Sequence, residues 1–375
     1  MTIATAAGVK PREPKLPSAP RVWVVDAYRE GERSQLRALA EALGWPYEVK
    51  CLVYRRYAWR VNLLRGSDLS GIDRARSDPL DPPWPDLVLA AGMRNEPVCR
   101  WIRDRSGGRT RIVHLGRPWA DPDRFDLVIT TPQYRLPVRA NVLHNVLPLH
   151  GVDEARLAAA VRRHGARLSA LPRPRLAVVV GGPSGPYAFG PKAARRLRRA
   201  AVERARALGG SLLVTTSART PPAVAEALAA IAEVPVWFHR WRRDDPDNPY
   251  LAFLAAADEL IVTADSVSML AEACATGKPV WMFDLGVGRG SMSGRPRQPG
   301  EEGNDLSLKA LAYRLLMRFG PRRLSRDLTL VHRALVAAGR AAWLGEAPPR
   351  RPAAAADDLE RAVARVRALM GWPPP

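Results

Sequence analysis

The stretch ELIVTADSVSMLAEACATGKPVWMF, residues 259–283, contains one complete strand–helix–strand pattern. Two apolar runs flank a segment of small residues that begins at an Asp-Ser pair and ends at Gly-Lys-Pro. Continuous apolar runs of this length are typical of parallel strands buried on both faces, and a helix is their usual connection. The stretch therefore predicts a parallel sheet covered by helices.

The same alternation of apolar runs and helical patterns divides the chain of 375 residues into two series. The first predicts strands at 21–26, 47–53, 86–91, 111–116 and 125–131, with helices at 34–44, 98–105 and 152–168. The second predicts strands at 175–182, 211–217, 234–239, 259–264 and 278–283, with helices up to 208, at 221–232, near 249–257 and after Asp265. Two such series predict an α/β protein with two parallel-sheet domains.

Proline and glycine mark the predicted boundaries of these domains. The stretch SALPRPR, 169–175, predicts a linker between a first domain over 21–168 and a second domain that starts at 176. Residues 1–20 lack a basic start followed by a long apolar core, so we expect a disordered leader rather than a signal peptide. The Gly/Pro-rich segment 286–303 predicts a mobile loop over a site.

Charge and composition limit the classes of partner. The formal net charge is +21, mostly from arginine, which favours anionic partners. The arginines are dispersed, an alanine-, arginine- and proline-rich composition explains them equally well, and no nucleic-acid module is recognisable. We therefore expect no nucleic-acid partner and a weak peripheral contact with the inner face of an anionic membrane.

Apolar run lengths and cysteine usage indicate a compartment. No apolar run reaches the roughly 18 residues that a membrane-spanning helix requires. Cys51, Cys99 and Cys274 are odd in number and far apart in sequence, which argues against a disulfide framework and for a reducing compartment. We expect a cytoplasmic protein.

The loop after strand 259–264 is the first candidate site. Asp265 or Ser266 is expected to cap the next helix, whose first-turn N–H groups, at Ser266, Ser268 and Met269, would face an anion such as pyrophosphate. Glu272 lies one turn further on the same helix face, where a carboxylate accepts hydrogen bonds from a ribose diol. The spacing is equally compatible with Asp265 as a plain cap and Glu272 as a partner of the helix dipole.

Two further candidate loops follow strands of the second series. Gly181, Gly182 and Ser184 lie in one loop, and glycines let the backbone approach a phosphate closely. In the loop TTSARTP, Ser217 and Thr220 offer hydroxyls, and Arg219 offers a guanidinium to phosphate oxygens. Tight strand-to-helix turns explain both loops as well.

The loop YREGERSQ after the first strand carries the candidate catalytic residues Glu30 and Glu32. Either carboxylate is a candidate general base toward an acceptor hydroxyl, although an exposed charged loop is the simpler interpretation of each one singly. Asp245 and Asp247 enclose a proline, so we interpret them as part of a turn rather than a metal site. The six histidines show no ligand spacing, and we predict no metal.

The chain resembles the plant elongated-mitochondria fission family and its bacterial branch over residues 20–320. The resemblance rests on five segments: GERSQLRALAEALG, VVVGGPSGPYAF, TTSARTP, NPYLAFLAAAD and TADSVSMLAEACATGKPVWMF. The family is regarded as GT-B glycosyltransferases, which implies two Rossmann-like domains facing a cleft. It also implies a second domain over 176–320, with helices in 321–375 that pack back on the first domain.

The segment at 263–280 is also similar to the donor-binding segment of GT-B enzymes that transfer sugars from UDP-sugars to lipid-linked acceptors. The similarity implies that Ser266, Ser268 and Met269 contact the pyrophosphate and that Glu272 contacts the ribose. It also implies that the Gly181–Gly185 loop borders the phosphates and that the nucleotide base packs near 238–241.

One departure from those transferases concerns the catalytic base. They place a histidine in a glycine-rich turn after the first strand, whereas this chain reads REGERSQ there. Glu30 or Glu32 would have to substitute for that histidine.

Three function hypotheses follow. The first is a transferase that moves a hexosyl or N-acetylhexosaminyl group from a nucleoside-diphosphate sugar, UDP-type favoured, to a hydroxyl of an envelope lipid or polysaccharide, with no bound cofactor. The second is a non-catalytic GT-B-shaped scaffold at membranes, and the third is a nucleotide-sugar epimerase. Product analysis separates them, because a transferase needs an acceptor whereas an epimerase acts on the donor alone.

Overall fold

The computed structural model describes residues 19–58, 66–321, 324–349 and 358–373. Most of the predicted leader, residues 1–18, lies outside these ranges. The described residues form two six-stranded sheets in which all paired strands run parallel. Every helix in this part of the chain is too short or too polar to cross a lipid bilayer.

Six short strands form the first sheet: β1 Val22–Val25, β2 Tyr47–Lys50, β3 Leu87–Ala91, β4 Arg111–Leu115, β5 Leu127–Thr130 and β6 Val142–His144. Their order is β2-β1-β3-β4-β5-β6. Helix α1, Glu30–Leu43, packs on the side chains of Val22 and Val24, and helix α2, Glu96–Arg105, packs on those of Trp23 and Val25. Alternate residues of a strand point to opposite faces, so this sheet is covered on both sides.

Six more strands form the second sheet: β7 Arg175–Val179, β8 Ser211–Thr215, β9 Val236–His239, β10 Glu259–Thr263, β11 Val280–Phe283 and β12 Ala342–Trp343. Their order is β12-β11-β10-β7-β8-β9. Seven helices belong to the same stretch of chain: α3 Glu154–Ser169, α4 Pro191–Ala207, α5 Pro222–Ala229, α6 Tyr250–Ala256, α7 Val267–Ala275, α8 Leu308–Phe319 and α9 Thr329–Ala337. The last described helix is α10, Asp358–Leu369.

The strand order of each sheet reverses at one point. Numbered along its own domain, the second sheet reads 3-2-1-4-5-6, so its order reverses between β7 and β10. In the first sheet the reversal lies between β1 and β3. Ligands of open parallel sheets bind outside the carboxyl ends of the strands at such a switch point. We call the ends of β1 and β3 the first switch point and those of β7 and β10 the second.

The two parallel-sheet domains confirm the predicted α/β, GT-B-like fold of two Rossmann-like units. The sequence patterns do not predict β6 or β12. These strands are three and two residues long, which is too short for an apolar run to stand out.

Helix α3 packs on the second domain rather than the first. Its side chains Leu157, Val161 and Leu168 contact the core of the second sheet, and the helix lies against α6. The predicted boundary at 168 is therefore wrong, because the apolar face of α3 finds its partners in the second domain. The predicted linker 169–175 is a short connection between α3 and β7 within that domain.

The prediction places 321–375 on the first domain, whereas the described part of that segment contacts both domains. Before α9, the N–H of Asp327 donates to the carbonyl of Gln133 in the first domain at 2.9 Å. In α9, Val331 and Leu335 pack in the core of the second domain, and β12 pairs with β11 at its edge. Helix α10 lies instead on the first domain, where Ala362 and Val366 pack beside α1.

The loop after β11 is held by one carboxylate. Asp284 accepts hydrogen bonds from the backbone N–H groups of Gly286, Met292 and Ser293, each at about 3 Å. The prediction of a mobile loop over 286–303 is therefore wrong for its first half, because a half-buried carboxylate fixes the backbone at three points.

Candidate functional site

Asp265 connects three loops at the carboxyl ends of β10, β7 and β8. Its buried Oδ2 accepts a hydrogen bond from the N–H of Gly182 at 2.9 Å and pairs with Nη2 of Arg219 at 3.0 Å. Burial raises the pKa of Asp265, and the nearby Arg219 guanidinium opposes that rise. The three loops therefore form one hydrogen-bonded unit at the second switch point.

Close approach of these loops explains both glycines. A Cβ atom at Gly181 would lie 2.4 Å from Oδ2 of Asp265, and one at Gly182 would lie 2.2 Å from the carbonyl oxygen of Arg219. The N–H of Gly181 donates to the hydroxyl of Thr263 at 2.8 Å. Both glycine N–H groups are thus engaged by protein, so these residues shape the site without offering a donor to a phosphate.

The hydroxyls of the loop after β8 also form hydrogen bonds within this three-loop unit. Thr220 donates to the carbonyl of Gly181 at 2.6 Å and accepts from the N–H of Ser217 at 2.9 Å. The hydroxyl of Ser217 accepts from the N–H of Arg219 at 3.3 Å. Arg219, with 44% of its side chain exposed, is a charged group of this loop that reaches solvent.

Helix α7 starts at the second switch point without the predicted side-chain cap. Ser266 is the N-cap residue, and its side chain accepts no capping hydrogen bond within the described residues. The expectation that Asp265 or Ser266 caps the helix is wrong, because Asp265 turns toward Gly182 and Arg219 instead. The first turn, from Val267 to Met269, consequently presents the positive end of the helix dipole without a carboxylate cap.

Glu272 lies one turn down the same helix and already has a partner. It accepts a hydrogen bond from the hydroxyl of Tyr250 at the start of α6. Burial raises the pKa of Glu272 to about 7, and the bond from Tyr250 opposes this. Above that pH the carboxyl is ionised, and a carboxylate can accept further hydrogen bonds besides the one from Tyr250. The assignment of Glu272 and Met269 to a donor stays a prediction.

Glu32 and Glu30 have different environments at the first switch point. Oε2 of Glu32 lies 3.1 Å from the place of a Cβ at Gly92, directly after β3. Burial raises the pKa of Glu32, and the charges of Arg29 and Arg326 oppose this. Glu30 has 66% of its side chain exposed and pairs with Arg33. Of the two candidates, Glu32 is the one that lies at the switch point.

The two switch points face each other across a cleft. A Cβ at Gly31, in the first turn of α1, would lie 3.0 Å from Oγ of Ser268 in the first turn of α7. Arg326, which follows α8, donates to Oγ of Ser184 at 2.6 Å, and its charge also acts on Glu32. The amino ends of α1 and α7 therefore meet, with the candidate base on one side and the three-loop unit on the other.

The region predicted to hold the nucleotide base lies at the same end of the sheet. The N–H of Trp241 donates to the hydroxyl of Thr216 at 2.9 Å, beside the loop that carries Arg219. Asp245 accepts from the N–H of Asp247 at 3.1 Å, as expected for a turn. Over the described ranges, no group of three or more His, Cys, Asp or Glu side chains is placed to hold a metal ion.

Sequence reasoning missed three residues of the cleft. Thr263 accepts a hydrogen bond from the Gly181 N–H, and Tyr250 donates one to the Glu272 carboxyl. Arg326 donates to Ser184, and its charge acts on Glu32 of the first domain. Tyr250 directly follows Asn-Pro at a helix start, a position that could have suggested a site. Arg326 gave no signal, because it is 142 positions away from its partner.

Comparison with known proteins identifies relatives. The Arabidopsis thaliana "Mitochondrial fission protein ELM1" is 29% identical over 238 residues, which cover 58% of this chain and 55% of that protein. "Uncharacterized protein RP120" of Rickettsia prowazekii (strain Madrid E) is 24% identical over 297 residues, which cover 70% of this chain and 82% of that protein. The match thus spans about half the length of the plant relative.

Solved structures resemble the chain only distantly. The S. aureus MnaA-UDP co-structure has a TM-score of 0.46 at 11% identity, covering 94% of this chain and 98% of that one. A UDP-GlcNAc 2-epimerase from Neisseria meningitidis, a UDP-glucosyltransferase from Polygonum tinctorium and an E. coli heptosyltransferase are also similar, with TM-scores of 0.42, 0.44 and 0.41.

The family model described as Mitochondrial fission ELM1 matches residues 30–295. That range is more than half of the chain and runs from the first turn of α1 to the loop after β11, so it includes the end of β3 and the whole second switch point. The Rickettsia relative is consistent with a bacterial branch. The chain therefore belongs to the Mitochondrial fission ELM1 family.

Proposed function

We propose that the protein is a glycosyltransferase that moves a sugar from a nucleoside-diphosphate sugar to an acceptor hydroxyl. One observation carries the proposal: the two switch points face each other, with Gly31 of α1 against Ser268 of α7. A donor at one switch point and an acceptor at the other would meet between them. Holding two reactants together in the right geometry makes their reaction effectively unimolecular and lowers its barrier.

The donor would bind at the second switch point. The first-turn N–H groups of α7, up to Ser268 and Met269, would take the diphosphate, supported by the dipole of the helix. Arg219 lies beside them, half exposed, and would neutralise charge on the departing diphosphate. Glu272 would accept hydrogen bonds from the ribose, with a UDP-type nucleotide favoured by the resemblance of this segment.

The transfer step would use Glu32. Its carboxylate takes the proton of the acceptor hydroxyl while the acceptor oxygen bonds to the anomeric carbon and the bond from that carbon to the diphosphate breaks. A pKa raised by burial suits this role, because it makes the carboxylate a stronger base than an exposed glutamate. The nucleoside diphosphate leaves toward α7, and Glu32 returns its proton to solvent.

A binding protein without turnover is the second candidate. The absence of a histidine from REGERSQ, together with the ion pair of Glu30 with Arg33, favours it. In this case the cleft would bind a nucleotide-sugar as a signal, and the protein would act in membrane fission, as the name of its plant relative implies.

Product analysis tests the proposal. We would incubate the protein with UDP-[¹⁴C]GlcNAc or UDP-[¹⁴C]glucose, with and without a bacterial lipid extract and a cell-wall polysaccharide fraction. Label transferred to the acceptor fraction, together with released UDP, is the expected result. Isomerised donor in the absence of acceptor would indicate an epimerase, and intact donor in every reaction would favour the binding protein.

A further inference from the structure

Helix α8, Leu308–Phe319, turns an apolar face toward solvent. Leu308, Leu311, Leu315 and Phe319 are 86%, 55%, 53% and 76% exposed, and Leu306 just before the helix is 98% exposed. Their spacing of three and four residues places them along one side of the helix. An exposed apolar ridge of this kind on a water-soluble surface marks an interaction site.

The opposite side of α8 faces the protein but is small. Ala310 is buried, whereas Tyr313 and Leu316 are half-buried. An ordinary surface helix places its leucines toward the core and its charges outward. In α8, leucines lie on both sides of the helix. The outward ridge is therefore a second apolar face, separate from the side that packs on the protein.

Basic residues accompany this ridge. From Leu306 to Arg326 the sequence contains no Asp or Glu, although it contains one lysine and five arginines. Lys309 and Arg318 are exposed on α8, and Arg314 lies between them. Arg322 and Arg323 lie outside the described residues. An apolar ridge with cations on its flanks matches the chemistry of a bilayer surface rich in anionic headgroups.

Helix α8 is also attached to the cleft. Arg314 donates to the carbonyl of Pro186 at 3.2 Å, and a Cβ at Gly185 would lie 3.2 Å from the ring of Tyr313. The hydroxyl of Tyr313 accepts from the N–H of Arg326, whose guanidinium holds Ser184. A partner bound to α8 would therefore lie next to the Gly181–Gly185 loop, which borders the second switch point.

We infer that α8 docks the protein on an anionic lipid bilayer, with Leu308, Leu311, Leu315 and Phe319 inserted at the headgroup boundary and the basic side chains on the phosphates. A second copy of the chain fits the face less well. A symmetric dimer through α8 would bring the same basic flanks together on two molecules that each carry a net charge of +21. Docking of this kind needs no nucleotide and no turnover, so it does not depend on the proposed chemistry.

Vesicle sedimentation tests the inference. The full chain is mixed with vesicles of equal parts phosphatidylglycerol and phosphatidylcholine, and separately with pure phosphatidylcholine. The wild type should sediment with the anionic vesicles at least about tenfold more strongly than with the neutral ones, and added salt should weaken the binding. The triple variant Leu311→Ser, Leu315→Ser, Phe319→Ser should lose at least about tenfold in binding to anionic vesicles.

Two controls keep the test decisive. Val138→Ser changes an apolar residue of the first domain that is even more exposed, at 91%, and this variant should bind like the wild type. The double variant Lys309→Ala, Arg318→Ala should bind anionic vesicles more weakly than the wild type does, while its binding to neutral vesicles should not change. Absence of binding to both vesicle types, or a triple variant that binds like the wild type, would overturn the inference. So would a wild-type dimer that the triple variant converts to a monomer, because the face would then belong to a second copy.

Discussion

The two switch points differ in how firmly they are built. At the second, Asp265 is buried and joins three loops, and the loops approach so closely that Gly181 and Gly182 have no room for a side chain. At the first, Glu30 faces solvent, its partner Arg33 also binds the carboxylate of Asp26, and Glu32 lies toward Gly92. Hydrogen bonds within its own domain therefore fix the proposed donor side, whereas the proposed acceptor side depends on contacts with the opposite domain.

Because of this difference, we expect substitutions at the two switch points to have different effects. A change in the three-loop unit should affect binding and stability together, because the same hydrogen bonds serve both. A change in the first turn of α1 should affect turnover alone, because its acidic side chains contribute little to packing.

The largest expected effect is on turnover, at the first switch point. Glu32→Gln should lower the transfer rate by about 100-fold or more, because a general base contributes roughly that factor. Binding of the donor should change less than about twofold, because Glu32 lies on the acceptor side. Initial rates and calorimetric titration of the variant measure the two effects.

Glu30→Gln is the matched control. Its exposed ion pair with Arg33 is worth less than about 1 kcal/mol, so both rate and stability should stay near the wild-type values. Equal losses in the two variants would contradict the distinction between them.

The next largest effect combines stability and binding at the second switch point. Gly182→Ala places a Cβ 2.2 Å from the carbonyl oxygen of Arg219, so the loops must separate. We expect a loss of about 1–3 kcal/mol in the free energy of unfolding and at least about tenfold weaker binding of UDP. Urea unfolding and calorimetry provide the two values.

Gly165→Ala in α3 serves as the comparison, since nothing lies within 4 Å of a Cβ there. In a helix interior this change should stabilise the protein by up to about 1 kcal/mol. If Gly182→Ala were equally harmless, the close approach of the loops would be wrong.

A double-mutant cycle between Asp265 and Arg219 should show a smaller effect. We expect a coupling of about 1 kcal/mol in the free energy of unfolding, at the low end of the range for contacting residues, because Arg219 is 44% exposed. Asp265→Asn, Arg219→Gln and the double variant complete the cycle. The more exposed pair of Arg173 and Asp258 should give a weaker coupling, and the opposite ranking would show that Asp265 does not organise the loops.

The smallest effect is a pH dependence at Glu272. Burial raises its pKa to about 7, so the folded protein keeps this proton at pH values where the unfolded chain has lost it. The stability from the protonated carboxyl is present at low pH and is lost as the pH rises through about 7. Glu272→Gln should therefore gain stability relative to the wild type between pH 5 and pH 8.

Donor binding should show the reverse trend, because the ionised carboxylate is the better acceptor for a ribose diol. A UDP-sugar should bind about tenfold more weakly at pH 6 than at pH 8. Its phosphates do not titrate in this range, so the trend reports on the protein. Glu272→Gln should remove the trend, and a trend of equal size in that variant would exclude Glu272 as its cause.

The sequence predicts the second switch point better than the first, and the reason is physical. Apolar strands and glycine turns follow local rules, so the loops at Gly181, Ser217 and Asp265 could be placed at strand ends. The role of Asp265 could not be predicted, because tertiary contacts decide whether a carboxylate caps its own helix or joins distant loops.

The domain boundaries show the same limit. Helix α3 has a clear helical pattern, but the pattern does not say which sheet receives its apolar face. Likewise α9 and α10 both have helical patterns, which do not indicate that their apolar residues pack on different domains. The domain assignments that differ from the structure are those that depend on a packing partner remote in sequence.

The measurement that tests the central claim most directly is a calorimetric titration of the wild-type chain with UDP, GDP and ADP. We predict micromolar binding of one nucleotide, UDP being favoured, that is lost in Glu272→Ala while the fold is retained. Binding should be unchanged in Glu226→Ala, which alters an exposed glutamate of α5 in the same domain. No binding of any of the three nucleotides to the wild type would contradict a donor site at the second switch point.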